Sequence, residues 1–253
     1  NFLKFGYKYI HKNNKSYFKN ISSVPPGGYL KITNSSIKEF KYWRIKSTII
    51  DIDEKTYFQD LKEKLFKSIQ LRLRSDFPIA FHLSGGIDSN SLAFIAKKYF
   101  NYNLKTFSVI GTNPKYDESK MINFASKQLG ADHTNLSIDV KKIDFMNILK
   151  EQIKYHDSPV ATINSLLNYT LYEKIKKDGF KVSITGIGSD EIFSGYYDHH
   201  LLYLNEIKNM KNLYKQSCNN WKQIVNPIVQ NPFLKKMKLY INNPRFRKHI
   251  YQF

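Results

Sequence analysis

The sequence is poor in three features that would each assign a protein to a class. It has one cysteine, Cys218, among 253 residues. No disulfide can therefore form within the chain, and we expect a buried structural thiol. It has neither a signal peptide nor an apolar run long enough to span a membrane, which predicts a soluble protein of the cytoplasm. The pattern GxxxxGK[ST] is also missing, and this excludes the common P-loop as a phosphate site.

Acidic residues are scarce as well. The chain has 21 Asp and Glu against 40 Lys and Arg, a formal net charge of +19. A charge of this size raises the question of a nucleic-acid partner. The lysines are scattered, however, and basic tracts such as Lys235-Lys236-Met237-Lys238 are short. We therefore favour a solvated basic surface over a nucleic-acid-binding one.

The most informative segment is Ser84-Gly85-Gly86-Ile87-Asp88-Ser89. The apolar residues 78–83 before it predict a buried strand, and residues 88–99 predict a helix. The two glycines let a ligand approach the backbone closely, and the amides of the turn and of the helix start carry partial positive charge. Asp88 would repel a phosphate unless a cation lay between them. The segment therefore predicts a site for Mg²⁺ together with a polyphosphate.

Strands and helices alternate through most of the chain, which predicts an α/β fold: a parallel sheet with helices on both faces. Residues 29–33 and 37–43 predict an N-terminal hairpin, and the C-terminal part after residue 211 is expected to be helical and irregular. Ligands bind beyond the carboxyl ends of parallel strands, where both the SGGIDS segment and residues 185–191 begin. The predicted strands are 78–83, 104–110, 134–138 and 181–185, and the predicted helices are 51–74, 88–99, 117–129, 143–156, 163–177 and 198–209.

Further blocks accompany the loop in a fixed order: YDES at 116–119, His133, HDSP at 156–159 and TGIGSDEIFSGY at 185–196. SGGIDS resembles the pyrophosphate loop of the ATP-pyrophosphatase superfamily. Together the blocks resemble the synthetase domain of glutamine-hydrolysing asparagine synthetases. Residues 21–30 with Tyr42-Trp43 are similar to the seam between that family's glutaminase and synthetase domains.

This resemblance implies an adenine nucleotide alpha-hydrolase-like, Rossmann-like fold in three regions. Residues 1–45 would be the seam or remnant of a glutaminase domain with its hairpin. Residues 46–210 would be the synthetase domain, and 211–253 a C-terminal extension that is truncated or divergent. The chain begins with Asn1 and has no N-terminal cysteine, the nucleophile of the family's glutaminase domain. We therefore expect a piece of a longer protein without that domain.

The resemblance also assigns residues to roles. For some of these residues a purely structural role competes with the functional one. Capping or favourable interaction with a helix start competes for Asp117, Glu118, Asp190 and Glu191, and core packing competes for the side chains of Leu83 and Val109. Magnesium binding and catalysis are assigned to Asp88 and Asp190. ATP and pyrophosphate binding is assigned to Leu83, Ser84, Gly85, Gly86, Asp88, Ser89, Val109, Thr185 and Gly186. The substrate pocket is assigned to Asp117, Glu118, Asp157, Ile187, Gly188 and Glu191.

The implied function is that of an ATP-dependent amidotransferase with ATP and Mg²⁺. A small carboxylate, aspartate or a sugar acid, would be adenylated with release of pyrophosphate, and ammonia from a glutaminase domain would then form an amide. Ile187 departs from the family, whose asparagine synthetases carry Glu there and whose β-lactam synthetases carry Tyr. Isoleucine can neither exchange a proton nor bind an ammonium group. Three alternatives therefore stay open: amidation of a sugar acid in surface-polysaccharide synthesis, adenylation of a tRNA base, and a non-catalytic nucleotide-binding module.

Overall fold

The computed structural model describes residues 16–46, 51–111, 117–139, 142–160 and 162–251. The first 15 residues of the predicted glutaminase remnant, the final two residues of the predicted extension, and Tyr116 of the YDES block lie outside the described residues. The backbone contacts divide the chain into two compact units, Asn1–Thr185 and Gly186–Phe253.

The first unit opens with the predicted hairpin. Strands β1 (Gly28–Thr33) and β2 (Ser36–Lys41) are antiparallel. Gly28 lies opposite Lys41, and Thr33 lies opposite Ser36, so the turn between the strands is two residues long. This length is typical of tight hairpins. The hairpin forms its own two-stranded sheet, and the prediction of an N-terminal hairpin is confirmed.

A four-stranded parallel sheet follows, with strand order β5-β4-β3-β6. The predicted strands and helices are confirmed, and their bounds shift by up to three residues. Such shifts are expected because element ends depend on caps that periodicity does not show. The strands are β3 (Ile79–His82), β4 (Lys105–Gly111), β5 (Asp132–Ile138) and β6 (Val182–Ile184), and the helices are α1 (Glu54–Arg72), α2 (Ile87–Phe100), α3 (Ser119–Leu129), α4 (Phe145–His156) and α5 (Ile163–Lys177).

The central strand β3 is buried on both faces. Ile79 and Phe81 belong to a core shared with α2 and α3, whereas Ala80 packs with Leu171 and Ile175 of α5. Successive side chains of a strand point to opposite faces, so a strand covered by helices on both sides needs a continuous apolar sequence. This is the physical reason for the apolar run at residues 78–83. The prediction of helices on both faces is confirmed.

The order of the strands changes direction at β3. The chain passes from β3 to β4 and β5 on one side, and then places β6 on the other side, with Ile184 opposite Phe81. In open parallel sheets, ligands bind at such a reversal, beyond the carboxyl ends of the strands. Ser84 and Thr185 follow the two strands that flank the reversal. The fold therefore places the SGGIDS loop where this class of sheet binds ligands.

The second unit is helical, with a core of its own. Leu201 and Leu204 of α7 (Tyr197–Glu206) pack with Trp221 and Tyr240, and Cys218 is buried in the same core, as expected for a structural thiol. Residue 210, the predicted end of the synthetase region, lies inside this unit. The three-region assignment stays a prediction. The helices are α6 (Ser189–Phe193), α7 (Tyr197–Glu206), α8 (Lys211–Asn220), α9 (Met237–Asn242) and α10 (Pro244–Tyr251), with a π turn at Trp221–Val225.

Among the described residues, no helix combines the length and the apolar character that crossing a bilayer requires.

Candidate functional site

The SGGIDS loop is anchored to β4 where it leaves the sheet. The Leu83 amide donates to the carbonyl oxygen of Phe107 over 2.9 Å. The buried Ser108 hydroxyl donates a short hydrogen bond to the carbonyl oxygen of Leu83. Both polar groups of the Leu83 backbone are therefore satisfied by the neighbouring strand. Ser108 was not among the predicted site residues, since within a strand its sequence position suggests only core packing.

Hydrogen bonds of Ser84 and Ser89 stabilise the turn of the loop. Ser89, only 6% exposed, accepts from the Ser84 amide over 3.1 Å. The two hydroxyl oxygens of these serines lie 2.8 Å apart. The Gly86 amide donates to the Ser84 hydroxyl over 3.2 Å. The assignment of both serines and of Gly86 to pyrophosphate stays a prediction, and the structure adds that these groups also shape the loop.

Asn90, in the first turn of α2, forms hydrogen bonds with two carbonyl groups of the loop. Its Nδ2 donates to the carbonyl oxygen of Ser84 over 2.8 Å and to that of Gly86 over 2.7 Å. The two carbonyl groups are thereby turned toward the first turn of α2. Sequence reasoning missed this residue, although an Asn in the first helical turn after a Gly-Gly loop is a signal for loop capping.

The two acidic residues before α3 have different partners. Asp117 accepts from the Ser119 amide over 2.9 Å, and this hydrogen bond lowers the pKa of its carboxyl group. Its side chain thus acts on the helix start, as the capping interpretation holds. Glu118 makes no capping bond; its Oε2 accepts from the Gly85 amide over 2.8 Å. Glu118 is therefore brought to the SGGIDS loop across 33 residues of sequence.

The side chains of Leu83 and Val109 belong to the core of the sheet, on opposite faces. Any contact of theirs with a nucleotide would therefore go through the backbone, as predicted. His82, the last residue of β3, lies beside the loop, and its ring centroid is 5.4 Å from that of Tyr172 in α5. Burial lowers the pKa of His82 to about 4, so its imidazole is neutral at physiological pH. Its buried Nε2 has no hydrogen-bond partner within the part of the chain that the structure describes.

Residues 186–196 of the second unit form a turn followed by the short helix α6 (Ser189–Phe193). Gly188 takes a φ of +99° before α6, a conformation that favours glycine. Tyr196 donates its hydroxyl hydrogen to Glu191 over 2.6 Å. This bond lowers the pKa of Glu191 and raises that of Tyr196 to about 12. Ile187 is 79% exposed.

Asp157 ends α4 with a φ of 50° and is exposed. Asp tolerates this left-handed conformation better than most residues, which explains its position in structural terms. Its predicted role in the substrate pocket stays a prediction.

Oxygen donors are the ligands that Mg²⁺ prefers, and one or two carboxylates suffice when phosphate and water complete the shell. Asp88 lies in the part of the SGGIDS segment that forms the first turn of α2. Its donor chemistry fits magnesium. The described residues contain no group of three or more His, Cys, Asp or Glu side chains that could hold a metal by themselves. The assignment of Asp88 and Asp190 to the metal stays a prediction.

A family model described as asparagine synthase matches residues 60–248. The chain belongs to the asparagine synthase family. This confirms the family resemblance that the SGGIDS and TGIGSDE blocks predicted. Within the family, the chain is 29% identical over 177 residues to asparagine synthetase [glutamine-hydrolyzing] 1 of Bacillus subtilis, covering 70% of this chain and 27% of that protein. It is 28% identical over 201 residues to amidase chyE of Penicillium rubens, covering 72% of this chain and 30% of that protein.

The chain thus spans less than a third of the length of these two relatives. Among solved structures, an NH3-dependent NAD synthetase from Campylobacter jejuni shares 17% identity at a TM-score of 0.37, with 75% of this chain and 95% of that one covered. A similarity this low supports no argument about function.

Proposed function

We propose that this chain is the ATP-using part of an amide-forming ligase. A substrate carboxylate oxygen attacks the α-phosphorus of ATP, the bond to the β-phosphate oxygen breaks, and pyrophosphate leaves. Ammonia then attacks the adenylated carboxyl carbon, AMP leaves, and an amide remains. The ammonia would come from glutamine, which the glutamine-hydrolysing relative from Bacillus subtilis uses.

The observation that carries the proposal is the position of the SGGIDS loop. It follows β3 at the reversal of strand order, and it opens α2 without a side-chain cap at Gly86. The amides of an uncapped helix start need partners, and an anion is a suitable one. Membership of the asparagine synthase family supports the identification of that anion as the polyphosphate of ATP.

In this reaction the chain's residues would mainly position the reactants. Gly85 and Gly86 allow the polyphosphate to approach the loop backbone, while Asn90 and Ser108 hold that backbone in place. Thr185 and the backbone of Val109 would contact the adenosine. Asp88 and Asp190 would hold Mg²⁺, which neutralises the negative charge of the leaving pyrophosphate. Orientation and charge stabilisation account for most catalysis of phosphoryl and nucleotidyl transfer.

The test measures binding of ATP with Mg²⁺ to the chain by calorimetry. Asp88→Asn removes one negative ligand and should weaken binding by about tenfold or more, equivalent to about 1.4 kcal/mol. Asp60→Asn is the matched control, because Asp60 is exposed on α1 and pairs with Lys64. The proposal fails if the unaltered chain does not bind ATP with Mg²⁺, or if both variants bind it as the unaltered chain does.

The identity of the acceptor carboxylate is a separate question, and Ile187 provides an argument about it. A free amino acid such as aspartate carries an α-ammonium group, and an apolar side chain offers it no partner. We therefore propose a carboxylate without that group, such as a sugar acid, as the acceptor. The relatives named above include an amidase as well as an asparagine synthetase, so similarity to this chain is not confined to asparagine synthetases.

ATP–pyrophosphate exchange by the protein that contains this chain distinguishes the acceptors. Aspartate, a uronic acid and tRNA are added separately. We expect exchange with the uronic acid and little with aspartate, and Ile187→Glu should raise the aspartate-dependent rate. Brisk aspartate-dependent exchange in the unaltered protein would make ordinary asparagine synthesis the better assignment. Exchange that depends on tRNA would favour modification of a base.

A further inference from the structure

The Gly85 amide has a partner from a distant element. Among the amides of Ser84, Gly85 and Gly86, the first and third donate to hydroxyl oxygens within the loop itself. The Gly85 amide instead donates to Glu118 Oε2 at 2.8 Å. A Cβ atom built on Gly85 would lie 3.3 Å from three atoms of the Glu118 side chain. The Glu118 carboxylate therefore lies directly over this glycine.

A carboxylate oxygen and a phosphate oxygen satisfy an amide in the same way. Both are anionic acceptors that form short, charge-assisted hydrogen bonds. The loop amide assigned to pyrophosphate is thus engaged by an anionic oxygen, the kind of acceptor that a phosphate would offer it. A polyphosphate cannot use the Gly85 amide while Glu118 holds it, and it would also meet the negative charge of that side chain.

Building on the proposed function, we propose that Glu118 makes the loop selective for metal-bound polyphosphate. A metal-free polyphosphate must displace Glu118 and also faces the negative charge of Asp88. When Mg²⁺ accompanies the polyphosphate, the displaced carboxylate has a positive partner nearby, so the exchange of Glu118 for a phosphate oxygen costs much less. Glu118 is in this sense a specificity-determining residue of the nucleotide site.

Pyrophosphate binding to the chain tests this inference by calorimetry, either with excess Mg²⁺ or with EDTA. Glu118→Gln keeps an amide oxygen of the same reach for Gly85 but removes the charge. A neutral acceptor competes less strongly for the amide, so the variant should bind pyrophosphate in EDTA about fivefold more tightly, equivalent to about 1 kcal/mol, while its affinity with Mg²⁺ should change less.

The matched control is Asp132→Asn, which also removes one negative charge from this unit. Asp132 pairs with Lys105 at the amino ends of the strands, the edge of the sheet opposite to the loop. It should leave metal-free binding unchanged. Glu118→Ala, which removes the acceptor altogether, should gain at least as much in EDTA as the glutamine variant.

The two proposals fail in different ways. If the unaltered chain binds pyrophosphate with Mg²⁺, but neither Glu118 variant gains affinity in EDTA over Asp132→Asn, the role of Glu118 is wrong and the proposed function stands. If neither the unaltered chain nor the variants bind pyrophosphate under either condition, the proposed function fails and this inference fails with it.

Discussion

At the scale of single residues, Gly195 shows how one missing side chain positions another. A Cβ atom built on Gly195 would overlap the carboxylate of Asp190. The backbone of Gly195 is not in the left-handed region, so alanine could adopt its φ. The requirement for glycine is therefore steric and comes from the Asp190 side chain, a predicted magnesium ligand.

Gly195→Ala should force Asp190 to another rotamer. The concentration of Mg²⁺ at half-maximal ATP–pyrophosphate exchange should then rise several-fold. This corresponds to a loss in Mg²⁺ binding free energy of the order of 1 kcal/mol. Melting temperature should change little, because Gly195 is exposed. Gly111→Ala is the control, since a Cβ there meets nothing within 4 Å. An unchanged magnesium dependence in Gly195→Ala would show that Asp190 does not serve the metal.

At the scale of elements, β3, the SGGIDS loop and α2 follow one another along the chain, and hydrogen bonds hold the loop to α2. Asn90 bonds two loop carbonyl groups from the first turn of the helix. It thereby couples the orientation of α2 to the path of the SGGIDS backbone. A change at Asn90 should therefore act on the loop as a whole and not on one contact.

Asn90→Asp keeps the size of the side chain but replaces a donor with an acceptor, which then faces two carbonyl oxygens. Two hydrogen bonds are lost and the new charge is repelled, so we expect a loss of about 2 kcal/mol in unfolding free energy. Binding of ATP with Mg²⁺ should weaken in parallel. Urea denaturation and calorimetry measure the two effects.

Asn101→Asp makes the same chemical change at the other end of α2. Asn101 ends the helix with a φ of 49°, a conformation that Asp tolerates well. An added negative charge at a helix end costs at most about 1 kcal/mol, and it lies far along α2 from the loop. Equal effects of the two variants on ATP binding would contradict the role of Asn90 in the loop.

At the scale of the whole molecule, His82 makes stability depend on pH. Its pKa in the folded protein is about 4, below its ordinary value of 6.5, because it is buried. Between these values the unfolded chain binds a proton that the folded protein does not. Stability is therefore fully present above the unfolded pKa and falls as the pH drops toward the folded pKa.

Between about pH 7 and about pH 5, this difference should remove about 2 kcal/mol of unfolding free energy. His82→Leu cannot take up the proton and should lose about 2 kcal/mol less over the same interval. The difference between the two proteins cancels the titration of carboxylates common to both. Urea denaturation followed by circular dichroism measures it. Equal losses of unfolding free energy in both proteins would mean that His82 takes up its proton in the folded protein as readily as in the unfolded chain.

Much of this architecture follows from local pattern. Alternating apolar strands and helices predicted the parallel sheet, the hairpin and the order of elements, because periodicity reports which faces are buried. The SGGIDS and TGIGSDE blocks predicted the family, which the match over residues 60–248 confirmed. Residue type and order suffice for these conclusions because glycine turns and helix starts are local features.

Only the tertiary structure decided which groups meet the loop. Glu118 reaches Gly85 across 33 residues, and Ser108 reaches the carbonyl of Leu83 across 25. Both contacts depend on β3 and β4 being neighbours in the sheet and on α3 following β4. The sequence placed Glu118 at a helix start, where capping competed with ligand contact. Periodicity describes one element at a time, whereas the partner of a polar side chain is chosen by the packing of several elements together.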